Sequence, residues 1–308
     1  MSWSADDIPD LTGRTAIVTG ANSGIGFRAA VELARHGATV TLAARDPGRG
    51  ADALRRLRAE VPGADAELAS LDLADLASVR AFAAAWEPGL DLLVNNAGVM
   101  APPLRRTADG FESQFGTNHL GHFALTGLLL PRLLDRPGAR VVTVTSGAHR
   151  AGRMNFANLN GESGYRKWPA YAQSKLANLL FTLELQRRAD AAGADLRSVA
   201  AHPGYAATNL QTTGPRLAGN KVGERGAALV TRLIGQPDSQ GALPTLRAAT
   251  DPAVRGGEVF GPGGFLELRG APEQVAVSRR ARDRFAAERL WTISEDRTGV
   301  TYPAFTPV

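Results

Sequence analysis

Tyr171 and Lys175 stand four residues apart in the run Tyr171-Ala172-Gln173-Ser174-Lys175. On a helix this spacing places a phenol and an ammonium on one face, one turn apart. A phenol of ordinary pKa near 10 is a poor acid or base at neutral pH, and a cation within a few ångströms stabilises its phenolate and lowers that value. The pair is therefore suited to moving a proton at an oxygen atom. A second group of residues, Thr19-Gly20-Ala21-Asn22-Ser23-Gly24-Ile25-Gly26, has the spacing G-x-x-x-G-x-G. Glycines joining a strand to a helix let the backbone approach a pyrophosphate held at the helix N-terminus. A third, Leu42-Ala43-Ala44-Arg45-Asp46, ends the next extended run. An acid there accepts hydrogen bonds from a ribose 2′-hydroxyl, but Ala44 occupies that place and Arg45 follows it. A guanidinium fork suits a 2′-phosphate, which favours NADP(H) and leaves NAD(H) open. The plainer reading of Arg45 is a solvated arginine, and of Asp46 a turn residue before Pro47.

The elements that must position these residues alternate. Extended runs are expected at Thr15–Val18, Ala38–Ala43, Ala66–Ala69, Asp91–Val94, Arg140–Thr145, Leu196–Ala200 and Val259–Phe260. Between them, helical patterns cover Ile25–Ala34, Gly50–Glu60, Leu76–Trp86, Phe111–Leu134, Ala170–Ala189 and Ala242–Ala249, with a short one near Gly226–Ile234. Strands alternating with helices, several of them uniformly apolar, predict a doubly wound parallel sheet covered on both faces. Glu273–Ser294 reads as a charged amphipathic helix before a polar tail.

Composition narrows the function. The 308 residues are 44% hydrophobic and 21% charged, ordinary for a globular protein with a full core. There is no cysteine, which excludes disulfides, cysteine metal sites and a cysteine nucleophile. Thirty-five basic against thirty acidic residues give +5, and only Lys167, Lys175 and Lys221 are lysines. The arginines are scattered among acids with no long basic run, so no nucleic-acid partner is expected. His119, His122, His149 and His202 lie in separate elements without ligand spacing and read as structural, with no metal site. The acidic N-terminal segment and the short apolar stretch Phe123–Leu130 predict neither a signal peptide nor a membrane anchor, and so a cytoplasmic protein.

Taken in order, these segments resemble the short-chain dehydrogenase/reductase family. The matching residues are Thr19 to Gly26, Asp72-Leu73 after the third strand, Asn95-Asn96-Ala97-Gly98 ending the fourth, Ser146 ending the fifth, Tyr171 to Lys175, and Pro203-Gly204 after the sixth. They span residues 12 to 250. The resemblance implies a single Rossmann-type α/β domain over 1–308, with about seven strands and helices on both faces. It also implies hydride transfer between a nicotinamide and a carbonyl or alcohol carbon. Tyr171 would exchange a proton with the substrate oxygen, Ser146 would hydrogen-bond that oxygen, and Lys175 would lower the tyrosine pKa and hold the nicotinamide ribose. Asn118, in Gly116-Thr117-Asn118-His119, matches the family's fourth catalytic position, beside a proton-relay water. Gly20, Asn22, Ser23, Gly24, Ile25 and Gly26 would cradle the phosphates, and Asp72 would meet the adenine amino group beside Leu73. Asn95, Asn96, Ala97 and Gly98 would line the adenosine, and Pro203, Gly204 and the chain to Thr208 would close over the nicotinamide. Homodimers or homotetramers are usual in the family.

Ser146 and Tyr171 lie 25 residues apart, whereas ordinary members keep them about a dozen apart. With Ser146-Gly147-Ala148-His149 and Leu290-Trp291-Thr292-Ile293-Ser294-Glu295-Asp296, this insert is similar to the retinol dehydrogenase and protochlorophyllide reductase subgroup. That implies a bulky apolar carbonyl or alcohol substrate, although the chain shows neither the membrane anchor of animal retinol dehydrogenases nor the cysteine of the light-driven enzymes. Gly147–Pro169 and a lid over 205–243 would set specificity, with Phe156, Trp168, Leu210, Leu217 and Val222 as candidate liners. Residues 273–308 would form a C-terminal helix and tail. The alternative from another class is a nucleotide-sensing protein that kept the fold without catalysis, against which the intact Ser146, Tyr171 and Lys175 argue.

Overall fold

Successive residues of a strand point to opposite faces of its sheet. In β1 (Thr15–Thr19) Ala16 and Val18 accordingly enter one hydrophobic cluster and Ile17 another. β2 (Thr39–Ala44) and β4 (Leu92–Asn95) behave alike: Val40, Leu42, Leu92 and Val94 face the first cluster, Ala43 and Leu93 the second. With both faces apolar, each must be covered by helices. α1 (Gly24–Arg35) and α7 (Asp238–Thr250) cover the first face. α3 (Leu76–Ala84), α5 (Gly121–Leu134) and α6 (Lys167–Ala191) cover the second. These observations come from a computed structural model that describes residues 2–204 and 236–305.

Among the described residues the sheet has eight strands in the order β3-β2-β1-β4-β5-β6-β7-β8, completed by β3 (Ala66–Ser70), β5 (Ala139–Val144), β6 (Leu196–Ala201), β7 (Val259–Pro262) and β8 (Pro272–Gln274). All neighbours are parallel except β7 and β8. Strand order reverses between β1 and β4, which opens a crevice beyond their carboxyl ends. The register pairs Thr19 with Ala43, Val18 with Val94, and Asn95 with Thr143, so the residues just past β1, β2, β4 and β5 share one rim.

The expected Rossmann-type sheet with helices on both faces is present, with four differences. The eighth, antiparallel strand occupies Pro272–Gln274, where the sequence pattern pointed to the start of a helix at Glu273. That helix, α8 (Arg284–Thr298), begins eleven residues later because the Asp283 carboxylate accepts from Ala286 N and caps it. The long helix expected over Phe111–Leu134 is interrupted. One turn, α4 (Ser113–Phe115), leads into a π-helical segment, Gly116–Leu120, before α5. α2 (Pro47–Glu60) starts three residues early, since Asp46 is its N-cap, accepting from Arg49 N, and Pro47 pre-sets the first turn. α6 starts at Lys167, not Ala170, because Pro169 falls in the first turn, where no backbone donor is needed. The expected lid falls largely outside the described residues, as do Thr208, Leu210, Leu217, Val222 and the short helix at 226–234; residues 238–243 belong to α7. No helix among the described residues is long and apolar enough to cross a membrane.

Candidate active site

The glycine loop closes against the turn after β4. Gly20 adopts φ +66°, and a Cβ there would lie 3.0 Å from Ala97 Cα. A Cβ on Gly26 would lie 2.3 Å from Asn96 Nδ2 and 2.8 Å from the Gly20 carbonyl oxygen. Both positions must be bare for β1, α1 and the Asn96-Ala97 turn to approach one another. Thr19 joins them: its Oγ1 accepts from Asn96 N at 2.9 Å and Ala97 N at 3.0 Å, while Asn96 Nδ2 donates to its carbonyl at 2.7 Å. Ser23, the N-cap of α1, makes no side-chain capping bond, which leaves the first N–H groups of that helix for another acceptor. The Asn22 carbonyl accepts from Arg56, whose guanidinium lies over the Phe27 ring at 4.2 Å, and Ile25 packs into the core below the loop.

Arg45 follows β2 with its side chain 70% exposed, and its Nε lies 4.0 Å from Asp72 Oδ2. Asp72 Oδ1 accepts from Ala74 N, and neighbouring Leu73 is buried against Gly121. Asn95 turns inward instead: its Nδ2 donates to Thr126 Oγ1 at 3.0 Å, and its Oδ1 is buried without a partner. Of the Asn95 to Gly98 run, only the later residues thus line the crevice side of the turn. Gly204, φ +64°, donates its N–H to His202 Nδ1 beside Pro203, and His202 Nε2 lies 2.8 Å from Glu267 Oε2.

The proton-handling candidates converge beyond β5. Ser146 caps a 3-10 helix, Gly147–Ala151, its hydroxyl accepting from Ala148 N at 3.3 Å, and Tyr171 stands on α6 one turn before Lys175. Lys175 Nζ is 5.9 Å from the Tyr171 ring centre and donates to the Val144 carbonyl at 3.1 Å, an oxygen shared with Asn178 Nδ2. Asn118 sits in the π-helical segment. Its Oδ1 accepts from Val99 N at 2.8 Å, and its Nδ2 donates to Val99 O at 3.0 Å and Ser174 Oγ at 2.9 Å. Gly98 lies between the two elements: a Cβ there would stand 3.1 Å from Asn118 Oδ1 and 3.6 Å from Lys175 Nζ. The structure therefore brings Asn118, Ser146, Tyr171 and Lys175 to one place beside the glycine loop.

The electrostatics differ from the sequence-based expectation. Burial pushes the Tyr171 phenol up to about 12, with the neighbouring Ser146 hydroxyl opposing the rise. Burial also pushes the Lys175 ammonium down to about 8. Burial outweighs any lowering of the tyrosine by the lysine, because both groups lose hydration and the ammonium is directed to a backbone carbonyl.

The insert between Ser146 and Tyr171 is fastened to α4. Gln114 Oε1 accepts from Ala101 N, while its Nε2 donates to the Tyr165 hydroxyl and the Lys167 carbonyl, each at 2.9 Å. Tyr165 in turn donates to Pro102 O at 2.8 Å. Trp168 is 56% exposed and meets the Tyr171 ring edge-on at 6.4 Å. Phe156, by contrast, packs on the core with the Arg289 guanidinium 4.5 Å from its ring centre. Thr19, Gln114 and Ser174 went unnoticed in the sequence as supports of the site. Thr19, at the head of the glycine loop, and Ser174, inside the Tyr171–Lys175 run, lay within recognised motifs, whereas Gln114 carried no signal.

Comparison with known proteins bears on what this arrangement is. A family model described as short chain dehydrogenase matches residues 14–216. Retinol dehydrogenase 12 of Mus musculus is 40% identical over 300 residues, 95% of this chain and 88% of its own. Polyprenol dehydrogenase of the same species is 42% identical over 300 residues, 95% of this chain and 86% of its own. A crystal structure of an uncharacterized Mycobacterium paratuberculosis protein superposes with a TM-score of 0.81 at 47% identity, covering 98% of this chain and all of that one.

Proposed function

The chain belongs to the short-chain dehydrogenase family and is an oxidoreductase of alcohol and carbonyl groups, and on that premise we propose that it transfers a hydride between NADP(H) and an apolar alcohol–carbonyl pair. The observation that carries this reading is the meeting of Asn118, Ser146, Tyr171 and Lys175 around Gly98, at the edge of the glycine loop.

The residues fit a dinucleotide. α1 offers an uncapped N-terminus to the pyrophosphate, Gly20 and Gly26 keep the loop free of side chains, and Asn96, Ala97 and Gly98 form the opposing wall. Arg45, exposed beside Asp72 with Ala44 in place of an acid, would hold a 2′-phosphate. Held there, a nicotinamide would supply a hydride to the carbonyl carbon, or take one from the alcohol carbon. As the carbonyl π electrons move to oxygen, Tyr171 gives that oxygen its proton and Ser146 donates a hydrogen bond that orients it. The phenolate left behind is stabilised by the Lys175 ammonium, and the Asn118 segment keeps the lysine's surroundings fixed. In the oxidation direction the same groups run in reverse.

An apolar substrate is supported by the similarity to a retinol dehydrogenase and a polyprenol dehydrogenase, each named for an apolar alcohol, and by the half-exposed Trp168 at the Tyr171 ring. The test is NADPH oxidation against apolar aldehydes and ketones beside short polar ones, in the wild type and Tyr171→Phe. Apolar compounds should turn over, and the variant should lose at least about a hundredfold in kcat while binding NADPH within twofold. Full activity in Tyr171→Phe, or a preference for the short polar compounds, overturns the reading.

A further inference from the structure

His122, in the first turn of α5, is buried with both ring nitrogens engaged. Nδ1 lies 3.1 Å from the backbone carbonyl oxygen of Asn118, one turn back, and Nε2 lies 2.9 Å from Thr19 Oγ1. A carbonyl can only accept, so Nδ1 carries the proton. Burial, with the nearby Lys175 charge, pushes the imidazole down to about 4, so the ring is neutral and Nε2 presents a lone pair. The Thr19 hydroxyl spends both of its lone pairs on Asn96 N and Ala97 N. Its single proton has two acceptors in reach, His122 Nε2 at 2.9 Å and Val94 O at 3.3 Å, and the shorter bond goes to the imidazole. Each group in the chain is left with one role. Asn96 and Ala97 donate to Thr19, Thr19 donates to His122, and His122 donates to Asn118.

We propose that His122 is a positioning residue which couples the nucleotide cradle to the catalytic turn: its neutral imidazole spans the gap between the Thr19 hydroxyl, where the cradle is knotted, and the Asn118 carbonyl, in the π-helical segment. A π-helical turn departs from the regular backbone ladder and needs outside support to hold one geometry. The Asn118 side chain is fixed by Val99 and Ser174, and its carbonyl is fixed by His122. The cradle and the turn are thereby kept in register across the β1–β4 crevice. This assignment rests on the site described under the proposed function, but two of its three readouts need no carbonyl substrate.

The first readout is the tautomer. Ring ¹⁵N shifts of the wild type between pH 6 and 9 should show His122 with its proton on Nδ1 and no titration; a proton on Nε2, or titration in this range, overturns the proposal. The second and third are the NADPH dissociation constant and kcat of three variants. His122→Asn places an amide N–H near the Nδ1 position, and His122→Gln carries an amide oxygen toward the Nε2 position. His122→Leu provides neither. The leucine variant should raise the NADPH dissociation constant about fivefold and lower kcat about tenfold. Asparagine should recover kcat to within about threefold, and glutamine should recover NADPH binding to a similar degree. Three equally impaired variants, or a leucine variant equal to the wild type, would show a space-filling ring and sink the idea. If the wild type reduces no carbonyl, the proposed function fails, while the tautomer and NADPH titrations still decide the role of His122.

Discussion

Replacing Gly26 by alanine sets two effects of opposite sign against each other. Gly26 lies in the first turn of α1 without a left-handed backbone, so helix propensity alone would make alanine stabilising by up to about 1 kcal/mol. The tertiary cost is larger. The new methyl would stand 2.3 Å from Asn96 Nδ2 and 2.8 Å from the Gly20 carbonyl. Asn96 must withdraw by about an ångström, breaking its 2.7 Å bond to the Thr19 carbonyl. A buried polar group left unpaired costs about 1–3 kcal/mol, and forcing an extra methyl into packed surroundings costs about 1–3 kcal/mol more. The variant should therefore be destabilised by roughly 1–5 kcal/mol, with a melting temperature lower by at least about 2 °C. Because Asn96 and Ala97 form one wall of the cradle, the NADPH dissociation constant should rise at least about tenfold in a fluorescence titration. Gly147, whose added Cβ would meet nothing within 4 Å, is the control: Gly147→Ala should leave the melting temperature unchanged. A Gly26→Ala protein that melts at or above the wild-type temperature and binds NADPH within twofold would refute the reasoning.

Two further predictions concern charge. Lys175 is pushed down to about 8 by burial, so its ammonium form is lost as pH rises through that value, whereas Tyr171, pushed up to about 12, stays protonated over the same range. The kcat for carbonyl reduction should therefore fall above pH 8, approaching tenfold per unit, and a flat profile from pH 7 to 10 would remove Lys175 from the mechanism. Arg45→Ala deletes a charge-assisted contact of about 1.5–3 kcal/mol with a 2′-phosphate, so NADPH binding should weaken roughly ten- to hundredfold with NADH unchanged. Equal losses for both nucleotides would mean that Arg45 does not read the 2′ position.

The sequence was most legible where function and local geometry share one short segment. Alternating apolar runs announce the doubly wound sheet because strand and helix periods differ. Tyr171 and Lys175 announce a proton site because four residues are one helical turn, and the glycine loop announces a nucleotide because a strand must turn abruptly into a helix. It was least legible where a neighbour distant in the chain decides the outcome. The helix over 111–134 has unbroken local signals, yet it passes through a π-helical turn at Asn118, whose side chain is bound by Val99 and Ser174. The segment from Glu273 has a helical pattern, yet pairing with β7 makes its start a strand.

Residue types and spacing alone determined the class of chemistry: the phenol, the ammonium and the bare loop are covalent facts of this chain. Tertiary structure alone decided their electrostatics and their alignment. A pKa depends on the water a group loses, and only the folded protein shows that burial raises Tyr171 and lowers Lys175 against their mutual attraction. Likewise His122 is one of several histidines in the sequence. Its link between Thr19 and Asn118 exists only because β1 and α5, a hundred residues apart in the chain, are packed to within hydrogen-bonding distance.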